Sequence, residues 1–307
     1  MQPLVSVVTV TYNHGPYIAR TIESVMAQRV NFCFEYIIAE DCSTDSTPDI
    51  CRRYAERYPD IIRIVTSEHN VGDAANEKRA FAAARGKYIA ICEGDDYWSD
   101  PDKLQRQVDF LESNPDYSVC FHRYRKYFES QNRFEDDGLS WLFPDAGDTG
   151  VEITMHQFMH RWVTQLVTMV FRRECFDVSL IDRYRYYRDT HLTYHLMCSG
   201  RCRMFPFTGA VYNITGSGIY SSLSELQQQK KVLAVDTELW KVNGDRRWRE
   251  MCAIVMQHLI DRFGPQFDRR KEPLLYVWRI FLATGNVPVA LKNLVKVLKT
   301  GKQISTE

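Results

Sequence analysis

Three carboxylates occupy four positions in ICEGDDYW, residues 91–98: Glu93, Asp95 and Asp96. They end an apolar run, Tyr88-Ile89-Ala90-Ile91-Cys92, that reads as a buried strand. Like charges this close to an apolar interior repel one another and resist desolvation, so a cation is expected to receive them. A helix cap is the competing use of such acids, but Ser99 or Asp100, just ahead of Pro101, already supplies one. A divalent metal, Mg2+ or Mn2+, suits Asp95 and Asp96. Such an ion accepts one or two protein carboxylates and takes its other ligands from phosphate oxygens and water. A diphosphate can then be held without a glycine cradle, and none is found. No G-x-x-x-x-G-K-[ST] occurs, no G-x-G-x-x-G follows the first strand, and Gly216-Ser217-Gly218 comes late and lacks the third glycine.

The elements that position these acids follow from the hydrophobic pattern. β-rich runs at 4–11, 34–41, 61–66, 87–93 and 117–122 alternate with helical stretches near 16–28, 46–57, 73–84 and 101–113. Apolar strands separated by amphipathic helices predict an α/β fold with a mostly parallel, Rossmann-like sheet covered on both faces. Residues 129–150 are polar and read as a long loop; strands near 164–172 and 203–213 and a helix near 189–199 follow, and beyond about 224 the pattern is only helical. Open α/β sheets bind ligands outside the carboxyl ends of their strands. Those ends carry Thr11-Tyr12-Asn13-His14-Gly15, Glu40-Asp41-Cys42-Ser43-Thr44-Asp45, Glu68-His69-Asn70-Val71-Gly72 and the acid cluster, which points to one shared cleft.

Composition narrows the classes. Lys+Arg and Asp+Glu are both 39 in 307 residues, so no net field draws the chain to nucleic acid. Nine scattered cysteines without a C-x-x-C pair suggest reduced thiols in a cytoplasmic protein. The N-terminus enters a strand pattern at once, with no signal-peptide features, and no apolar run approaches the roughly 18 residues of a spanning helix.

The opening VSVVTVTYN, the segment EDCSTDST and the stretch from NVGDAANEKRAF to GDDYWSDPDKLQRQVDFLE resemble the family 2 glycosyltransferases, inverting enzymes of the GT-A fold that use nucleotide-diphospho sugars. The similarity is close over 4–113 and returns at RDTHLTYHLMCSGRCRMFPFTGAVYNITGSGIYS, 188–221. It implies that Asp41 accepts the N3–H of a uracil or thymine, with Thr11, Tyr12 and Asn13 around the base and carrier UDP or dTDP. It implies that Asp95 faces ribose and metal, that Asp96 binds the metal, and that Asn76 and Arg79 contact nucleotide or diphosphate. Asp189 aligns with the general base. The catalytic domain is expected over 1–224, with a nucleotide-sugar half to about 115 and an acceptor half beyond it. A helical extension is expected over 225–307. The implied acceptor is a glycan or lipid-linked sugar in cell-surface polysaccharide assembly.

The sequence departs from the family at Glu40, usually Asp, and at Asn213 and Thr215, commonly Arg and His. The last two keep a non-catalytic nucleotide-sugar binder open as an alternative. A sugar nucleotidyltransferase would show a glycine-rich basic segment where TYNHGPY stands, and an aspartyl phosphatase is excluded because the first strand contains no Asp. His191, His195, Cys198 and Cys202 resemble a metal list, but eleven helical residues rise about 16 Å, too far for one tetrahedral ion. A packed face is the better reading. From Arg269 onward the chain carries eight Lys/Arg (269, 270, 271, 279, 292, 296, 299, 302) against Glu272 and Glu307. Leu291, Leu294, Val295 and Leu298 form one stripe of the last helix. That helix suits either an anionic membrane surface, as peripheral contact on the inner face, or packing on protein.

Overall fold

The computed structural model describes residues 2–143, 147–161, 163–216, 218, 223–263, 266–267 and 271–303. The alternating runs fold in the order β1 (Val5–Thr11), α1 (Ile18–Met26), β2 (Phe34–Glu40), α2 (Thr47–Arg57), β3 (Ile62–Val65), α3 (Asp73–Ala83), β4 (Tyr88–Ile91), β5 (Tyr97–Trp98) and α4 (Lys103–Ser113). There follow β6 (Tyr117–Phe128), β7 (Arg133–Asp136), β8 (Val151–Ile153), α5 (Met155–His160), β9 (Val170–Arg172), α6 (Asp189–Ser199) and β10 (Arg201–Ile214). Four helices close the chain: α7 (Glu225–Asn243), α8 (Arg246–Phe263), α9 (Lys271–Thr284) and α10 (Val287–Gln303).

The strands form one sheet ordered β3-β2-β1-β4-β9-β6-β10-β5, with β7 paired to β6 and β8 to β10. β1 and β2 are buried on both sides along nearly their whole length, as helix-covered central strands require. The half from β3 to β4 is parallel, as expected. Beyond it the sheet is mixed: β9 runs antiparallel to both β4 and β6, β10 runs parallel to β6, and β5 runs antiparallel to β10.

Some expected boundaries move for local reasons. The run 164–172 is split, because the Thr168 amide and hydroxyl both turn back onto the Gln165 carbonyl (3.0 and 2.7 Å), and a 3-10 turn, Leu166–Thr168, precedes β9. The loop expected over 129–150 contains β7, which closes a hairpin with β6 through Asn132 in the left-handed region at φ 44°. His191 lies buried in α6, whereas Cys202 belongs to β10, so the four His and Cys residues do not share one helix.

The chain divides into two compact units: residues 1–183 with 187–218, and residues 184–186 with 219–307. The core of the second is built from Leu233, Val255, Leu259, Ile260, Phe263, Tyr276, Val277, Ile280 and Val297. The expected stripe of α10 is divided: Leu294 packs on this core while Leu291, Val295 and Leu298 stay exposed.

Two buried groups give the units opposite pH signatures. Lys103 is fully buried with its Nζ 3.9 Å from the Trp98 ring centroid, and burial lowers it from 10.5 to about 7. On α7, burial raises the Asp236 carboxyl from 3.8 to about 7. The fold binds fewer protons than the unfolded chain at Lys103 between pH 7 and 10.5, so that site costs stability as pH falls through this window. It binds more at Asp236 between 3.8 and 7, so that site costs stability as pH rises. Lys103→Met should therefore stabilise most at and below about pH 7, and Asp236→Asn most at and above it, each by roughly 1–3 kcal/mol. Thermal melts from about pH 5 to pH 10 would show the two gains fading in opposite directions.

Candidate active site

The parallel register Thr11↔Glu40 and Val8↔Ile91 brings the ends of β1, β2 and β4 side by side. The pairing continues past the strands: Asp41 N–H donates to the Thr11 carbonyl (3.0 Å), and Cys92 and Gly94 donate to Val8 and Val10 (3.0 and 3.1 Å). The loops after β1 and β2 are then laced together. Asn13 and Cys42 adopt left-handed φ of 56° and 59°, a conformation Asn tolerates better than most residues. Asn13 N–H donates to Ser43 Oγ (2.9 Å), its Oδ1 accepts from Thr44 N–H (2.8 Å), and Gly15 N–H donates to Asp45 Oδ2 (2.9 Å). Asn13 is thus a brace between loops. Tyr12 is exposed beside it, and the Thr11 hydroxyl is buried without a hydrogen-bond partner.

The acid turn needs its glycine. A Cβ on Gly94 would stand 2.6 Å from both His14 Nδ1 and Thr11 Oγ1. Beneath the turn, the Thr21 hydroxyl lies 2.7 Å from the Asp96 carbonyl and 3.0 Å from that of Gly94. Asp96 is completely buried. Its Oδ1 accepts the Asn213 N–H (2.8 Å), and its Oδ2 has no hydrogen-bond partner. The Asn213 amide also donates to the Asp95 carbonyl, so β10 pins both acids. Asp95 is partly open, with Oδ2 3.9 Å from His14 Nε2. Burial, then the charges of Asp95 and Glu93, push the Asp96 carboxyl well above the usual range. A bound dication inverts that logic. One orphaned buried oxygen beside a partly open carboxylate fits Mn2+ or Mg2+, which favour hard oxygen donors and leave positions for a ligand. Among the described residues no group of three or more His, Cys, Asp or Glu is placed to hold a metal unaided.

Asp41, Asn76 and Arg79 come together as a second cluster. Asp41 accepts from Val71 N–H (3.0 Å), Gly72 N–H (2.9 Å) and Arg79 Nη2 (3.1 Å). Asn76 is buried, donates to the Ala39 carbonyl (2.8 Å) and accepts from Arg79 (2.7 Å). Arg79 Nε and Nη1 are left buried without partners.

Asp189 opens α6, partly exposed, with Oδ1 accepting from Thr190 N–H (2.8 Å). Burial raises its carboxyl, opposed by that bond and by Arg188. Its charge is felt at Glu93, whose carboxyl is driven well up by burial and then by Asp95, Asp189 and Glu77. The Tyr212 phenol rises for the same reasons, burial first and then the charges of Asp96, Glu93, Asp95 and Asp189. Glu93, Asp95, Asp96 and Asp189 thus share one neighbourhood. The sequence reading did not assign roles to Asn213 as a pin, His14 beside Asp95, or Glu77 and Tyr187 near Asp189. Only the His14 position, at a strand end, carried a signal.

A family model described as glycosyl transferase family 2 matches residues 6–168. An uncharacterized protein of Mycobacterium tuberculosis is 38% identical over 224 residues, which cover 71% of this chain and 60% of its own. TuaG of Bacillus subtilis, named as a teichuronic acid biosynthesis glycosyltransferase, is 42% identical over 110 residues, 36% of this chain and 42% of its own. The chain therefore spans less than two thirds of these relatives. Among solved structures, S. aureus TarS 1-349 in complex with UDP-GlcNAc superposes with a TM-score of 0.65 at 16% identity, covering 96% of this chain and 88% of that one. The mannosyltransferase PcManGT from Pyrobaculum calidifontis, in complex with GDP-Man and Mn2+, gives 0.57 at 19% identity, covering 100% and 81%. Both share the GT-A type of fold with this chain.

Gly94→Ala is expected to force His14 or the Thr11 side chain aside and loosen the turn that presents Asp95 and Asp96. A loss of about 1–3 kcal/mol in urea unfolding would accompany it; unchanged stability would mean that the turn relaxes freely.

Proposed function

The chain belongs to glycosyl transferase family 2, and from that premise we propose a metal-dependent, inverting sugar transfer. The donor is a nucleotide-diphospho sugar with UDP or dTDP as carrier, and the acceptor is a hydroxyl of a glycan or lipid-linked sugar in cell-surface polysaccharide assembly. Residues 1–224 form the catalytic domain in this reading and 225–307 its helical extension. The observation that carries it is the unpartnered, buried Asp96 oxygen beside Asp95, with Asp189 in the same electrostatic neighbourhood. Asp95 and Asp96 would hold Mn2+ or Mg2+, which as a Lewis acid stabilises the charge of a departing diphosphate.

The chain's own residues do the rest. Asp189 accepts the acceptor hydroxyl proton as that oxygen bonds to the anomeric carbon. The bond from this carbon to the phosphate oxygen breaks, and its electron pair leaves with the nucleoside diphosphate. Attack on the opposite face inverts the centre. Asp41, steadied by Val71, Gly72 and Arg79, faces the pyrimidine, with Thr11 and Tyr12 beside the ring and Asn13 bracing their loop. The two unpartnered nitrogens of Arg79 are donors for a nucleotide or phosphate oxygen, and Asn76 holds that guanidinium. The second reading, a nucleotide-sugar binder without turnover, draws on Asn213: it is committed to the acid turn and not to a diphosphate.

Asp189→Asn should leave donor affinity unchanged and abolish transfer, whereas Asp96→Ala should weaken Mn2+-dependent donor binding at least tenfold, about 1.4 kcal/mol. Calorimetry beside a turnover assay decides. Wild-type donor binding without turnover would favour the binder, and full turnover in Asp189→Asn would remove that residue from the base role.

The proposal extends to a cytoplasmic protein resting on the inner membrane face. Among the described residues no helix is long and apolar enough to cross a membrane. On α9, Leu275, Trp278 and Leu282 are exposed, and so are Leu291, Val295 and Leu298 on α10. At helical spacing each trio falls within about 60° of arc. Lys271, Arg279 and Lys292 are exposed on the same helices, where Glu272 is the single acid over 271–303. Lys296 is paired with Asp261 (2.7 Å), and Arg269 and Arg270 lie outside the described residues. Exposed apolar stripes with a basic surround match an anionic lipid surface. In flotation with anionic vesicles the wild type should rise with the lipid and Trp278→Ser with Leu291→Ser should stay below; equal flotation would end the membrane reading.

A further inference from the structure

We infer that Glu77 and Tyr187 are positioning residues for Asp189, and that α3 couples donor recognition to the acceptor-side base. This rests on the reading of Asp189 as the base and adds how the fold aims and tunes it. One edge of α3 serves the donor side: Arg79, braced by Asn76, holds Asp41, and the amides of Val71 and Gly72, just ahead of the helix, bind the same carboxylate. The other edge grips the residues just before Asp189. Asp73 pairs with Arg188, and Glu77 Oε1 accepts the Tyr187 hydroxyl at 3.1 Å. Tyr187 is buried and lies parallel to the His191 ring with centroids 5.8 Å apart. His191 Nδ1 in turn accepts the Arg188 N–H (3.0 Å), which closes the first turn of α6 around Asp189.

The charge of Glu77 gives the contact a chemical consequence. The groups facing it are Tyr187, Arg188 and Asp189 from the segment entering α6, Asp73 from its own helix and Glu93 from the end of β4. Burial, joined by the charges of Asp189 and Asp73 and opposed by the Tyr187 bond, pushes Glu77 up to about 8. An ionised Glu77 makes Asp189 a stronger base, and a protonated Glu77 makes it a weaker one. With Glu77 at about 8, that strengthening sets in only above neutral pH.

Glu77→Gln keeps an oxygen for the Tyr187 hydroxyl and removes the titration. With Glu77 at about 8, wild-type kcat should gain a several-fold rise near that pH as Glu77 ionises, and Glu77→Gln should lose that rise with the donor KM unchanged. Tyr187→Phe keeps the carboxyl but removes the bond that favours its charged form, so the same rise should move to higher pH. A lost rise in one variant and a displaced rise in the other distinguish tuning from mere damage to the fold, and either variant alone carries the test if the other fails to fold. An inactive Asp189→Asn with wild-type pH profiles in both variants overturns this inference alone. Full turnover in Asp189→Asn overturns the base reading and this inference with it.

Discussion

Crowding of carboxylates beyond the end of β4 is the constraint to which the rest of the first unit answers. Glu93, Asp95 and Asp96 follow the strand within five residues of its end, and Asp189 and Glu77 raise the same local field. In an interior where water screens poorly, each ionised member makes the next harder to ionise. Such a cluster persists only if the backbone holds it rigidly and if cations or protons share the site. The hydroxyl of Thr21, the missing side chain of Gly94 and the backbone of Asn213 provide the rigidity. None of the three neutralises a charge, which leaves that task to whatever binds.

Topology explains why these groups meet. Three parallel strands end level with one another, so the loops after β1, β2 and β4 leave the sheet at one edge. Parallel connections need helices, and α3 is the connection between β3 and β4. Its position lets it touch Asp41 on one side and the entry to α6 on the other. The antiparallel insertion of β9 then separates β4 from β6, and β10 returns parallel to β6 to place Asn213 over Asp96. Residues 96 and 213 are brought together by the mixed half of the sheet alone.

Legibility followed sequence distance. Strands with uninterrupted apolar runs, such as VSVVTVT and FEYIIAE, announce themselves, and the polar residues that end them are visible without a structure. Asp41, Asp95, Asp96 and Asp189 were singled out on that basis together with family resemblance. Asn76, among charged residues on α3, stands out only through the family resemblance; its burial depends on the Ala39 carbonyl that β2 offers, which no local pattern shows. Asn213 fails differently: read as a missing cation, it is a pin whose purpose depends on a register no local pattern encodes. The split of 164–172 was hidden for a third reason, a threonine whose hydroxyl competes with the strand ladder.

Exchanging a cation for Asn213 alters the charge balance of the proposed transfer. An arginine there would help to neutralise a departing diphosphate, whereas the Asn213 side-chain amide donates to the Asp95 carbonyl and only its backbone N–H meets the Asp96 carboxylate. Near the acid turn, His14 Nε2 lies 3.9 Å from Asp95 and the charge of Arg20 reaches Asp96, while Arg79 is half-committed to Asp41. Leaving-group charge in this reading therefore falls more heavily on the dication between Asp95 and Asp96 than in a site with an added arginine. At Asp189 the proton affinity is raised by burial, with Arg188 opposing. The burden on the dication and the strength of the base are thus set by different parts of the fold, the first by β10 at Asn213 and the second by the burial of Asp189 at the start of α6.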